Sequence, residues 1–86
     1  MKFEDIKVYR GQRFSIEKEI ETQKLYITFP VFNGRVEYTE FYEISELELE
    51  KFLLDEDHLF IFVQECRNKL HDDRLLLEPG SSRGTP

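Results

Sequence analysis

Tryptophan is missing from this chain altogether, and cysteine and methionine occur once each. The lone cysteine, Cys66, excludes an intramolecular disulfide and any cluster of cysteine ligands around zinc. The four glycines stand apart from one another, so no glycine-rich loop is present to cradle a phosphate. No run approaches the roughly 18 apolar residues of a membrane-spanning helix. The opening MKFEDIKVYRG brings acids early and lacks the apolar core of a secretory signal, so a cytoplasmic chain is expected. Positive charge is also scarce: 12 Lys and Arg stand against 18 Asp and Glu, for a net charge of -6. That balance disfavours nucleic-acid phosphates and anionic membranes, and it favours basic protein partners.

What is present suffices for one fold. A chain of 86 residues makes a single domain, expected over 1–78, with PGSSRGTP at 79–86 as a flexible tail. Hydrophobic content of 40% and aromatic content of 14% are globular values. At this size folding buries roughly 64% of the unfolded chain's surface, enough for one thin core.

The periodicities predict an α+β architecture. Residues 1–12 sustain neither helical nor strand period and read as an irregular arm or a short edge strand. From Arg13 to Ile20 the alternation of Phe14, Ile16, Lys18 and Ile20 with polar residues reads as a half-buried strand. A second strand follows over Lys24–Phe29, with Leu25, Ile27 and Phe29 facing together. Asn33-Gly34 suits a two-residue hairpin turn, since both residues tolerate positive φ. That turn places Phe32 opposite Arg35, Phe29 opposite Tyr38 and Ile27 opposite Glu40, with Pro30 marking an irregular tip.

Ser45 and Glu48 form a capping box that starts a helix, with Leu49, Phe52 and Leu53 as its core stripe. A second helix, capped by Asp55 or Asp57, runs to about Leu70. Its stripe is Leu59, Phe62, Val63, Cys66 and Leu70. The expected fold is thus a three-stranded antiparallel sheet packed on two helices, in the order β-β-β-α-α. Leu75–Leu77 could add a short strand or an anchoring segment.

Catalytic chemistry finds little support. Cys66 lies on the apolar stripe, where burial makes a thiol inert. His71, Asp72 and Asp73 match no metal motif and read as the end of a helix followed by a turn, although a small metal-dependent enzyme at these residues is one alternative. His58 reads as a solvated residue among acids. No metal, no cofactor and no catalytic residue is expected.

The informative feature is where the negative charge lies. Glu37–Asp57 carries nine acids opposed only by Lys51, whereas the remainder has nine acids and eleven bases. Within it Tyr38, Phe41 and Tyr42 alternate with Glu37, Glu40 and Glu43, which denies a nucleic acid its basic contacts and suits a basic protein. An acidic face is also an ordinary way for a small protein to stay soluble. Glu40 shifts the balance toward binding. In the expected register it shares a face with Leu25, Ile27 and Phe29, and a carboxylate there costs several kcal/mol unless paired. Either the register differs, or a partner covers that face.

The hairpin FPVFNGRVEYTEFYEIS followed by the helical SELELEKFL, in a short acidic chain, resembles the small immunity proteins of bacterial polymorphic toxin systems, of the contact-dependent growth inhibition and Rhs type. The resemblance is one of overall type. It implies cytoplasmic neutralisation of a cognate toxin domain, often a basic nuclease, by a protein that occludes it without catalysis. The expected contacts are Glu37, Tyr38, Glu40, Tyr42 and Glu43, extended by Glu46 and Glu50. The alternative from another class is an oligomerising structural or regulatory domain, a homodimer for example, with Phe60 and Ile61 at the self-interface.

Overall fold

The computed structural model describes residues 1–77, so the expected tail at 79–86 lies outside the described residues. Four strands form one antiparallel meander in the order β1-β2-β3-β4: β1 Phe3–Tyr9, β2 Phe14–Glu19, β3 Leu25–Phe32 and β4 Glu37–Ile44. Two helices follow, α1 Glu46–Leu54 and α2 Glu56–Arg67, and then a short 3₁₀ turn at Asp72–Arg74. The class is α+β as expected, but the sheet has four strands rather than three.

The additional strand is β1, and a bulge hid it. The pairing with β2 runs Phe3 to Glu19 through Asp5 to Glu17, then resumes at Lys7 opposite Ile16, leaving Ile6 as the extra residue. A bulge inserts one residue and so reverses the side-chain alternation. Phe3 therefore shares a face with Glu19, while Tyr9 shares the opposite face with Phe14, and no period of two survives in the sequence. Charged residues along β1, including Glu4, Asp5 and Lys7, guard this edge against pairing with another chain.

The hairpin differs from the expected one by two residues. Phe32 lies opposite Glu37, Phe29 opposite Glu40, Ile27 opposite Tyr42 and Leu25 opposite Ile44. The connection is wider because the Asn33 Oδ1 accepts from the amides of Arg35 and Val36, both at 3.0 Å, while the Asn33 amide donates to the Val36 carbonyl at 3.2 Å. Gly34 supplies the left-handed residue of this loop, at φ 91°. A shift of two residues preserves the side-chain faces, so the expected core face survives the change of register. Pro30 lies beyond Thr28, the last residue of β3 opposite β2, so only one neighbouring strand meets its missing N–H.

Both helices lie on one face of the sheet. Phe14, Ile16, Leu25, Ile27, Phe29, Val31, Tyr42 and Ile44 meet Phe52 from α1 and Leu59, Phe62, Val63 and Cys66 from α2. Rings interlock across this layer: Phe29 stacks on Tyr42 at 5.4 Å, and Phe52 meets Phe62 at 5.1 Å. α1 begins where the capping box places it, with the Ser45 hydroxyl accepting from the Glu48 amide and Glu48 accepting from the Ser45 amide. Asp55 caps α2 by accepting from the His58 amide at 3.2 Å. α2 ends at Arg67, short of Leu70, which is exposed.

The opposite face carries no helix. There Phe3 stacks on Phe41 at 4.7 Å and meets Tyr26 edge-on at 5.9 Å, burying Tyr26 at one end. Toward the other end this face is polar, with Ser15, Glu17, Thr28 and Thr39. After α2 the chain returns to β4, where Leu75 forms a single bridge with Tyr42 and the Leu76 amide donates to the Phe41 carbonyl at 2.9 Å. The expected extra strand at Leu75–Leu77 is thus one bridge, which covers the C-terminal half of the β4 edge.

Candidate docking surface

The seven acidic and tyrosine residues expected to touch a partner do not form one patch. β4 alternates, so Tyr38, Glu40 and Tyr42 point toward the helices and Glu37, Thr39, Phe41 and Glu43 point away. Tyr42 is 0% exposed and Glu40 is 7% exposed, so α2 rather than a partner covers them. Glu40 stays on the core face, as expected, and the core itself answers its carboxylate. The Tyr42 hydroxyl donates to Glu40 Oε1 at 2.8 Å and lies 3.2 Å from the Cys66 carbonyl near the end of α2. Neither a slipped face nor an open one is needed to explain a buried glutamate. Tyr38 is half-buried against the core cluster.

The remaining four acids are exposed but divided. Glu37 stands beside the hairpin, and Glu43 stands six residues along the same strand, about 20 Å away at the rise of an extended chain. Glu43 pairs with Lys24 at 3.7 Å. Glu46 and Glu50 lie on α1, Glu46 in its first turn and Glu50 in its middle, and Asp55, Glu56 and Asp57 stand at the start of α2.

Between these acids α1 presents something its core stripe does not require. Phe52 and the half-buried Leu49 face the sheet, whereas Leu47 is 77% and Leu54 is 89% exposed. Seven residues apart, they share one helical side with Glu50 and Lys51 between them. Together with Glu48 they line a shallow depression of about 450 Å³. Leu53, expected in the core, is also exposed, and Phe52 is the buried residue of α1. The sequence signal was there: Leu47 and Leu54 are the α1 leucines that no stripe at i, i+3, i+4 absorbs.

The base of α1 is held by Arg74. Its guanidinium donates to both Glu48 carboxylate oxygens at 2.9 Å and to the Glu43 carbonyl at 3.1 Å, and it lies 5.0 Å above the Phe62 ring. Burial pushes the Glu48 carboxyl up, but the Arg74 fork and the Ser45 cap outweigh it and hold the group below the ordinary carboxylate range. Glu19 is likewise lowered, first by the Thr22 amide at 2.6 Å. A carboxyl depressed in the folded state stabilises the fold above the pH at which the unfolded group ionises. That contribution disappears as pH falls through the folded value. Stability to urea is therefore expected to fall on acidification below about pH 4. In Arg74→Gln the neutral-pH stability is expected to drop by about 1 kcal/mol, the modest size suiting a half-exposed pair, and the acid-induced loss to shrink by the same amount. An unchanged acid profile in Arg74→Gln would count against the clamp.

The other sequence candidates resolve into structure. Burial pushes the Cys66 thiol up to about 12, far from a reactive thiolate. His71 Nε2 lies 2.9 Å from Glu65 Oε1, and its ring stacks on Phe62 at 4.6 Å. Instead of meeting the last carbonyls of α2, it joins the chain end to the helix side. Among the described residues no three His, Cys, Asp or Glu side chains gather as a metal requires, and no helix is long and apolar enough to cross a membrane. Phe60, expected at a self-interface, packs edge-on against Tyr9 at 5.9 Å and Phe14 at 6.0 Å, leaving only Ile61 of that pair exposed. The chain matches no protein-family model, no curated protein and no solved structure.

Proposed function

We propose that this protein is a non-catalytic binding protein that neutralises a basic protein partner, as an immunity protein does its cognate toxin domain. The observation that carries the reading is the outward side of α1, where exposed Leu47 and Leu54 are flanked by Glu46, Glu50 and Asp55. Apolar anchors among Glu46, Glu50 and Asp55, with Lys51 as the single opposing charge between them, combine the two ingredients of a specific interface: desolvated contacts for affinity and a net negative field for steering. The partner surface is therefore basic and offers an apolar pocket. The contact set moves from the strand to the helix. Glu46 and Glu50 remain in it, Glu43 sits at its margin, and Glu40 and Tyr42 support the fold beneath it.

Self-association is the second reading, favoured by the same exposed leucines and by Ile61. Charge weighs against it, since a two-fold contact through α1 would bring Glu46 and Glu50 of both copies together. The deciding experiment titrates the protein with the toxin-like domain encoded immediately upstream, at low and moderate salt, with light scattering of the free protein alongside. Saturable binding that weakens as salt rises is the expected result. A dimer that binds nothing would overturn the reading in favour of self-association.

A further inference from the structure

The end of the sheet opposite the start of α1 gathers arginines. Arg10 and Arg13 stand on the turn between β1 and β2, and Arg67 is the last residue of α2. Arg13, Pro30 and Arg67, with Gly11 and Gln12, line a hollow of about 420 Å³. A second hollow of about 350 Å³ shares Arg13 and Pro30 and continues onto the helix-free face past Val8, Arg10, Ser15 and Thr39. Each falls in the range of about 300–1,000 Å³ usual for small-molecule sites.

Three observations give this junction a chemistry. Acids outnumber bases in the chain, and Lys7, Lys24 and Arg74 all have carboxylate partners. Among the described residues the side chains of Arg10 and Arg13, like those of Lys2, Lys18, Arg35, Lys51 and Lys69, make no ion pair or hydrogen bond, and Arg10 and Arg13 line one hollow together. Arg67, secondly, is fixed where it is. Its Nη2 donates to the Gln12 carbonyl at 2.6 Å and the Arg13 carbonyl at 3.3 Å, and its guanidinium lies 5.2 Å from the Phe29 ring centre. Burial first, and then the neighbouring Arg13 charge, pull the Arg67 pKa down. Two cations held close by the architecture repel, and an oxyanion between them relieves that repulsion while using the Nη1 and Nε donors that Arg67 has left over. Thirdly, the adjoining hollow offers the Ser15 and Thr39 hydroxyls beside apolar Val8 and Pro30. Its single acid, Glu17, already accepts from the Thr28 hydroxyl.

We infer that this junction binds a small organic phosphate, its phosphate against Arg10, Arg13 and Arg67 and its organic body along the groove beside Val8, Ser15 and Thr39. A phosphate is preferred to a carboxylate because a dianion with three free oxygens answers three guanidinium groups at once. The site lies at the far end of the molecule from α1 and does not depend on the partner assigned there.

The test is a nitrogen-15 NMR titration at constant ionic strength with inorganic phosphate, phenyl phosphate and benzoate, using sodium chloride as the reference salt. Saturating shifts are expected at the amides of Gly11–Ser15 and at the Arg67 Nε–H. Phenyl phosphate should saturate at roughly tenfold lower concentration than inorganic phosphate, since its ring covers Val8 and Pro30. Arg10→Gln and Arg13→Gln should each weaken phenyl phosphate binding roughly tenfold, as expected for loss of a charge-assisted contact. Arg10 lies outside the left-handed position at residue 13, so its variant keeps the test valid should the Arg13 variant disturb the turn. Shifts no larger than those of chloride would overturn the site. Binding unchanged in both variants would remove the arginines from it. Benzoate binding as tightly as phenyl phosphate would overturn the phosphate assignment.

Discussion

Tyr42→Ala is expected to destabilise the fold by about 3–5 kcal/mol, the range for deleting a buried aromatic ring. Tyr42 is fully buried, stacked on Phe29 across β3 and β4, and its hydroxyl joins Glu40 to the Cys66 carbonyl of α2. Small domains hold only about 5–15 kcal/mol in reserve, so this single change should leave the protein marginal. Tyr42→Phe separates the two contributions. It keeps the ring and removes the hydroxyl, and it should cost about 1–3 kcal/mol because Glu40 loses a donor inside the core. Urea denaturation with an unchanged slope is the measurement. A Tyr42→Ala protein within about 1 kcal/mol of the parent would place this side chain at the surface and reopen β4 as a docking face. The same result governs binding experiments, since loss of partner affinity in any Tyr42 or Glu40 variant reports on folding first.

Replacing Leu47 and Leu54 together by serine should leave stability nearly unchanged and weaken partner binding by at least about 2 kcal/mol, roughly thirtyfold. Both side chains stand in water in the free protein, so their removal opens no cavity and should slightly improve solubility. Glu46→Lys with Glu50→Lys should act differently. Charge at the rim of an interface governs steering, so the association rate should fall and its salt dependence flatten, with a smaller change in dissociation. Glu37→Lys, about 20 Å along the strand from Glu43, should change little. Calorimetry and stopped-flow mixing separate these effects. Full affinity in the Leu47→Ser, Leu54→Ser protein would sink the α1 surface, and a strong effect of Glu37→Lys would return the contact to the hairpin.

Local rules carried much of this structure. Ser45 and Glu48 fix the start of α1 because the capping box is satisfied within four residues, and Asp55 fixes the start of α2 in the same way. The alternation of Phe14 and Ile16, and of Leu25, Ile27 and Phe29, places two strands and their buried face, and the Asn33-Gly34 hairpin adds the next. Charge placement also survives folding in part, since Glu46 and Glu50 are exposed on the helix that the sequence assigns them to.

Wherever one residue's position depends on another far along the chain, local rules stop short. The Ile6 bulge reverses the alternation of β1, so its pairing with β2 leaves no period to read. The Asn33 side chain widens a loop that Asn-Gly alone would have closed in two residues, and the register moves by two. The sequence places Glu40 on the core face but not what answers its carboxylate there, which is the Tyr42 hydroxyl, held at the same time 3.2 Å from the Cys66 carbonyl of α2. Arg67 meets the turn at Gln12 and Arg13 from 55 and 54 residues away, a meeting no spacing rule encodes. The segments, their faces and the acidity of one stretch are legible in the residues alone, because caps and periodicity act within a few residues. Which acids remain in water, which leucines stay uncovered and which arginine reaches the β1–β2 turn follow from packing, because burial is a property of the assembled sheet and helices and not of any segment alone.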